Sequence, residues 1–167
     1  MSAQDARGPQ RDTPVGEAEA RSIIARWGEL HDLQAGLSAF LPFIARDGFY
    51  MVFAGKRWEG YADFEAHQLV KRRFFDELHE TLEVRVQPAS PATHAFTVSR
   101  WEARYRPDNS PRSVQIKSRI EHDWEFRRDP DTGHAYMQGH RVTAFEYLPG
   151  FAPLETVADD PHLGGRG

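Results

Sequence analysis

Residues 112–127 constrain the fold more than any other stretch, because they read as one long, half-buried strand. Val114, Ile116, Ser118, Ile120, His122, Trp124 and Phe126 share one parity, and Gln115, Lys117, Arg119, Glu121, Asp123 and Glu125 share the other. Successive side chains of a strand point to opposite faces, so the alternation predicts an antiparallel strand with one apolar and one solvated face. Two residues break the apolar parity. Ser118 and His122 carry polar atoms into a face where an unpartnered polar group costs free energy. Either the core satisfies them or they line a cavity.

The chain has 167 residues, enough for a single domain that buries a sizeable core without covalent staples. It has no cysteine, which removes disulfides, thiolate nucleophiles and thiolate metal ligands. No apolar run approaches the ~20 residues of a membrane span, and no charged-then-apolar leader opens the chain. The expectation is a soluble cytoplasmic protein that does not engage a membrane. A net charge of −4 gives no long-range attraction to nucleic acid, and the basic run Lys71-Arg72-Arg73 reads as a solvated helix face.

Residues 1–12 and 158–167 read as disordered polar tails, leaving 13–157 as one domain. Thr13-Pro14 predicts a helix start, with Ala20, Ile23, Ile24, Trp27 and His31 on one face. A short second helix carries Leu37, Phe40, Leu41 and Ile44, broken at Pro42. Strands are expected at 49–53 and 57–59. A third helix is expected from Gly60 to about Leu78, burying Phe64, His67, Val70, Phe74 and Leu78. Four further strands, near 80–87, 95–106, 112–127 and 135–147, follow as an antiparallel meander. Phe96 and Val98 are out of phase with Trp101, Ala103 and Tyr105, which predicts a bulge near Ser99. Phe145 and Tyr147 lie on the opposite parity to Tyr136 and Val142. That suggests two apolar sheet faces, and so a homodimer on the face that the helices leave uncovered.

This order of elements resembles the cone-shaped nuclear transport factor 2-like superfamily, an α+β fold in which three N-terminal helices pack on a bent, mostly antiparallel sheet. The closest resemblance is to the SnoaL-like polyketide cyclase and scytalone dehydratase branch. It is carried by residues 25–32 (ARWGELHD), 45–50 (ARDGFY) and 58–61 (WEGY), by His79, and by His122-Asp123-Trp124. Two alternatives within the superfamily fit poorly. Ketosteroid isomerases place a carboxylate on the first strand, where this chain reads Phe49-Tyr50-Met51-Val52-Phe53. Limonene epoxide hydrolases need a second acid where this chain has Arg141-Val142. The dehydratase pattern maps onto His31, Asp32, Tyr50 and His79, but its second histidine has no counterpart on residues 95–106. His122, one strand along, is the available substitute.

The resemblance implies a cofactor-independent lyase or isomerase, dehydratase- or cyclase-like, acting on a small hydrophobic cyclic or aromatic carbonyl compound. The alternative is a ligand-binding or protein-interaction module of the same fold. His122 is the leading candidate for the base, since a partly buried imidazole exchanges protons near neutrality. His79 with Asp32 is the second choice. His31 is either a catalytic group or a helix-end histidine favoured by the dipole. Tyr50 would polarise a carbonyl. Ser118, Trp101, Trp124 and Trp27 are the candidate walls for a flat ligand. His79-Glu80-Thr81-Leu82-Glu83 lacks the second histidine of a zinc-protease helix, and no glycine loop suits a phosphate, so neither metal nor nucleotide cofactor is expected.

Overall fold

The computed structural model describes residues 13–108 and 110–152; both expected tails and residues 153–157 lie outside them. Helix α1 (Glu17–Asp32) and the single turn α2 (Leu37–Phe40) come first, then strands β1 (Tyr50–Phe53) and β2 (Lys56–Glu59). Helix α3 (Gly60–Lys71) leads into the long strands β3 (Phe74–Gln87), β4 (Thr93–Tyr105), β5 (Val114–Arg128) and β6 (Ala135–Tyr147). The sheet has six strands in the order β2-β1-β6-β5-β4-β3. Every pairing is antiparallel except β1 with β6. The expected α+β architecture of helices on a bent, mostly antiparallel sheet is what the chain forms.

Helix α1 starts later than Thr13-Pro14 suggests. Its N-cap is Gly16, whose N–H donates to Glu19 Oε2 at 2.9 Å. The preceding residues are instead held as an extended strap: Thr93 Oγ1 donates to the Val15 carbonyl, and Arg128 bonds Thr13 O, Pro14 O and the Glu19 carboxylate. The apolar stripe of α1 places Ala20, Ile23, Ile24, Trp27 and Leu30 in the core. Trp27 stacks on Phe64 of α3 and meets Phe40 edge-on, which ties the helices together.

Helix α3 ends at Lys71 rather than near Leu78. Phe74 and Leu78 keep helical spacing, but Phe74 is fully buried beside Trp101 and Tyr105 of β4, and Leu78 is exposed. Pairing with β4, which begins at Phe74↔Tyr105, outweighs local periodicity here. His79 therefore stands on a strand.

Bulges shape the sheet. The odd residues of β4 from Thr93 to Tyr105 are all buried, so its phase does not change. The extra residue opposite Ser99 belongs to β3, where Thr81↔Ser99 is followed by Glu83↔Val98. Two more irregularities fall in the β5–β6 register, between Glu121/His122 and Glu125/Phe126. They realign β6 so that His140, Val142 and Phe145 all line the same inner cavity. The opposite parities of Val142 and Phe145 thus reflect a bulge, whereas Tyr136, opposite Arg127, lies on the other face of the sheet from Phe145 and Tyr147. The outer face of β4 and β5 carries ion pairs, among them Lys117–Glu102, Arg100–Glu80 and Arg127–Glu125.

Gly139 is a sensitive point in this arrangement. A Cβ there would lie 2.4 Å from the Tyr50 carbonyl oxygen and 2.6 Å from a Tyr50 ring carbon, where β1 meets β6. Gly139→Ala is expected to destabilise the fold by about 1–3 kcal/mol, read as a lowered urea midpoint. An unchanged midpoint would show that β1 and β6 separate at little cost.

Candidate active site

Between the helices and the concave face of the sheet lies a cavity of about 120 Å³. Its walls include Ile24, Trp27, Met51, Phe53, Phe74, Trp101, Ile120, Trp124, Val142 and Phe145. Set into this apolar lining are His31, His67, His79, His122 and His140, five of the eight histidines in the chain. Each arrives from a different position: His31 from the last turn of α1, His67 and Lys71 one turn apart on α3, and the others from β3, β5 and β6. Clustering so many imidazoles in apolar surroundings is costly unless they are neutral and have work to do.

His79 is the best oriented of them. Asp32, the last residue of α1, accepts from the His79 backbone N–H at 2.9 Å and pairs with its Nδ1 at 2.6 Å. The bond at Nδ1 fixes the tautomer and leaves the Nε2 lone pair available as a base. Burial lowers the pKa of His79 and the Asp32 bond partly offsets this, so the ring is neutral near pH 7. The side chains of the pair are about one-fifth exposed, so the carboxylate keeps some contact with solvent. Close approach to α1 depends on Gly28, whose absent Cβ would sit 3.4 Å from His79 Cβ.

His31 has the opposite polarity. Its Nδ1 lies 3.2 Å from Lys71 Nζ, an ammonium that can only donate, so the ring proton resides on Nε2. Burial first, and then the Lys71 charge, hold its pKa well below the usual value. A helix C-terminus would favour a charged His31 by ~0.3–1 kcal/mol at a surface, and burial outweighs that. Lys71 is anchored in turn by the buried Glu77 at 3.0 Å, and Glu77 also accepts from Trp101 Nε1 at 3.0 Å. The rings of His31 and His79 are 5.7 Å apart. One presents a lone pair and the other an N–H.

His122 lines the same cavity, and burial pushes its pKa down to about 3. Its Nδ1 has no partner among the described residues, so no carboxylate orients it. Trp27, Trp101 and Trp124 line the cavity, with Trp124 Nε1 satisfied by Thr97 Oγ1. Two expected residues are placed elsewhere. Tyr50 turns to the other side of β1, where its hydroxyl bonds Glu125 Oε2 at 3.0 Å; burial and that bond raise its pKa to about 12. Its neighbours Met51 and Phe53 take the inward positions. Ser118 is fully buried on the face of β5 that carries Ile116 and Ile120, and is not among the residues that line the cavity.

Sequence reasoning did not single out Lys71, Glu77 or His140. Lys71 was hidden in a basic run, Glu77 in a stretch read as helix, and His140 on a strand whose parity is set by bulges. Despite the histidines, no three His, Asp or Glu side chains among the described residues are arranged to hold a metal ion. Among those residues no helix is long and apolar enough to cross a membrane.

No family model matches the chain, and no curated protein matches its sequence. Solved structures do. A nuclear transport factor 2-like superfamily protein from Salmonella enterica aligns with a TM-score of 0.62 at 11% identity, over 82% of this chain and 95% of that one. This chain has the nuclear transport factor 2-like fold. A second protein of this type, from Novosphingobium aromaticivorans, aligns with a TM-score of 0.54 at 20% identity, over 81% and 83% of the two chains. The CaMKII hub of S. rosetta aligns with a TM-score of 0.61 at 10% identity, over 78% of this chain and 98% of the hub. A kinase hub thus shares this fold with the other two proteins, so the fold alone does not fix a function and the reading rests on the cavity.

Proposed function

We propose that this nuclear transport factor 2-like domain is an acid–base lyase or isomerase, dehydratase- or cyclase-like, acting on a small neutral cyclic carbonyl compound. The carrying observation is the Asp32–His79 pair on the wall of an aromatic cavity, with the N–H of His31 close by. In the dehydratase form, His79 Nε2 removes the proton beside the carbonyl while His31 Nε2–H donates to the carbonyl oxygen as negative charge builds there. The enolate then re-forms the carbonyl and expels a hydroxyl from the β carbon. The proton held by His79 completes the departing water. In the isomerase form the same proton returns at another carbon. Side chains supply every role, so the reaction as written needs no cofactor. Excluding water from the apolar walls strengthens both hydrogen bonds.

Size narrows the substrate. A cavity of about 120 Å³ is close to the ~150 Å³ that accommodates benzene, so one six-membered ring fits. Charge narrows it too. The ammonium of Lys71 is paired with Glu77, and burial keeps His31, His79, His122 and His140 neutral, so none of these receives an anion as an uncompensated cation.

The test uses 3-hydroxycyclohexanone. The protein is expected to convert it to cyclohexenone, and in D₂O to place deuterium beside the carbonyl, faster than an equal concentration of free imidazole. Saturable binding with neither reaction would favour the second reading, a non-catalytic small-ligand carrier with the same cavity.

A further inference from the structure

His140 is unexplained by the chemistry above. It is buried, it lines the cavity, and neither of its ring nitrogens has a partner among the described residues. His122 Nδ1 is likewise unpartnered, and the two rings are 5.5 Å apart. Leaving a buried donor or acceptor unmade costs ~1–3 kcal/mol per group, so a fold that keeps three such nitrogens on one wall gains from something that satisfies them. The surrounding side chains do not. His140 packs edge-on to Trp27 and lies at a tilt to Trp124, whose Nε1 is taken by Thr97 Oγ1.

His122 lies between the other two strand histidines of the cavity, near enough to His79 to be influenced by its charge and in ring contact with His140. His79 stands on β3 and His140 on β6, with β4 and β5 between them in the sheet. At ~4.8 Å per strand the two backbones are up to ~14 Å apart, so His79 and His140 reach the cavity from different parts of the sheet. The rings of His122 and His140 are neutral, since burial lowers the pKa of each, with a smaller contribution from His79 at His122 and from His122 at His140. A neutral imidazole has one N–H and one lone pair. A hydroxyl can answer both; a carboxylate can answer only the N–H and would be buried without a counter-charge.

We infer that His140, with His122 beside it, forms a second polar subsite that holds a hydroxyl group on the β6 side of the cavity, three strands from His79. The ligand is then a neutral single ring oxygenated at both ends. This rests on the cavity being a ligand site, as proposed above, and is independent of whether that ligand is turned over. His140 and His122 act here as specificity-determining residues, recognising one end of the ring while the reacting carbons sit beside His79.

Hydroquinone and phenol separate this subsite from general apolar binding, because they differ by one hydroxyl across the ring. Titration under nitrogen, followed by calorimetry, is expected to give hydroquinone an affinity roughly 5–50-fold above that of phenol. His140→Phe is expected to abolish the difference while phenol still binds, and His140→Gln, which keeps a donor and an acceptor, to restore part of it. Equal affinities in the natural protein would overturn the proposal, and that comparison needs no variant to fold. It is equally overturned if neither compound binds saturably, or if His140→Phe weakens both to the same degree, as expected where water alone fills the β6 side. Neither probe has a proton beside a carbonyl. A protein that prefers hydroquinone yet fails to dehydrate 3-hydroxycyclohexanone would retain the subsite and lose the catalytic reading.

Discussion

Replacing His79 by alanine is expected to lower turnover of 3-hydroxycyclohexanone by roughly 10²–10⁴, the usual worth of a general base, with little change in hydroquinone affinity. Asp32→Asn is expected to fall in the same range by a different route. The amide can present its NH₂ to His79 Nδ1, which turns the imidazole into the wrong tautomer and moves the proton onto Nε2, where the lone pair is needed. The two substitutions act on one unit, so the double variant should be scarcely worse than either single one. His122→Ala should instead raise KM more than it lowers kcat, because no carboxylate orients that ring. The opposite pattern, an active His79→Ala protein and an inactive His122→Ala protein, would transfer the base to β5 and dismantle the mechanism.

Acid should unfold this protein unusually early. His31, His79, His122 and His140 all have folded-state pKa values below the usual imidazole value, with burial the largest cause in each. In the unfolded chain they titrate near ~6.5. Below that pH the unfolded state binds more protons than the folded one, so acid favours unfolding. The stability is fully present above ~6.5 and is lost as pH falls towards the folded-state values, about 3 for His122. A single such histidine withdraws up to ~1.4 kcal/mol per pH unit, or about 2 kcal/mol by pH 5. The cluster should together remove several kcal/mol from a total that is typically 5–15. Urea midpoints at pH 7.5 and 5 measure this directly. A midpoint that does not move between them would mean that the cavity admits enough water or relaxes enough to accept charge. His140→Phe should flatten the pH dependence, since it removes one of the groups that must stay neutral.

The alternation of residues 114–126 was sufficient to place β5, to orient Ile116, Ile120 and Trp124 inward, and to mark Ser118 and His122 as polar exceptions that either the core satisfies or a cavity exposes. Periodicity reports faces well where a strand runs without interruption, and β5 does. The order of helices and turns likewise pointed to the bent α+β architecture, because each element carries its own pattern and its own stop signals. Local pattern failed where tertiary pairing decided the outcome. Residues 74–78 have helical spacing, yet β4 draws Phe74 into a strand, and that choice brings Glu77 and His79 to the cavity. On β6 the irregular register with β5 determines which side chains face inward, so His140 could not be assigned from parity and Val142 and Phe145 seemed to oppose one another. Tyr50 and Ser118 show the same limit from the other side. Each occupies a position that suits a site, but the register of β1 sends one to the outer face, and dense packing around β5 seals the other away. The sequence by itself determined which residues could be buried and which chemistry was present. That Asp32 and His79, 47 positions apart, share a hydrogen bond follows from long-range pairing, because contacts between distant segments depend on strand order and bulges that no local window contains.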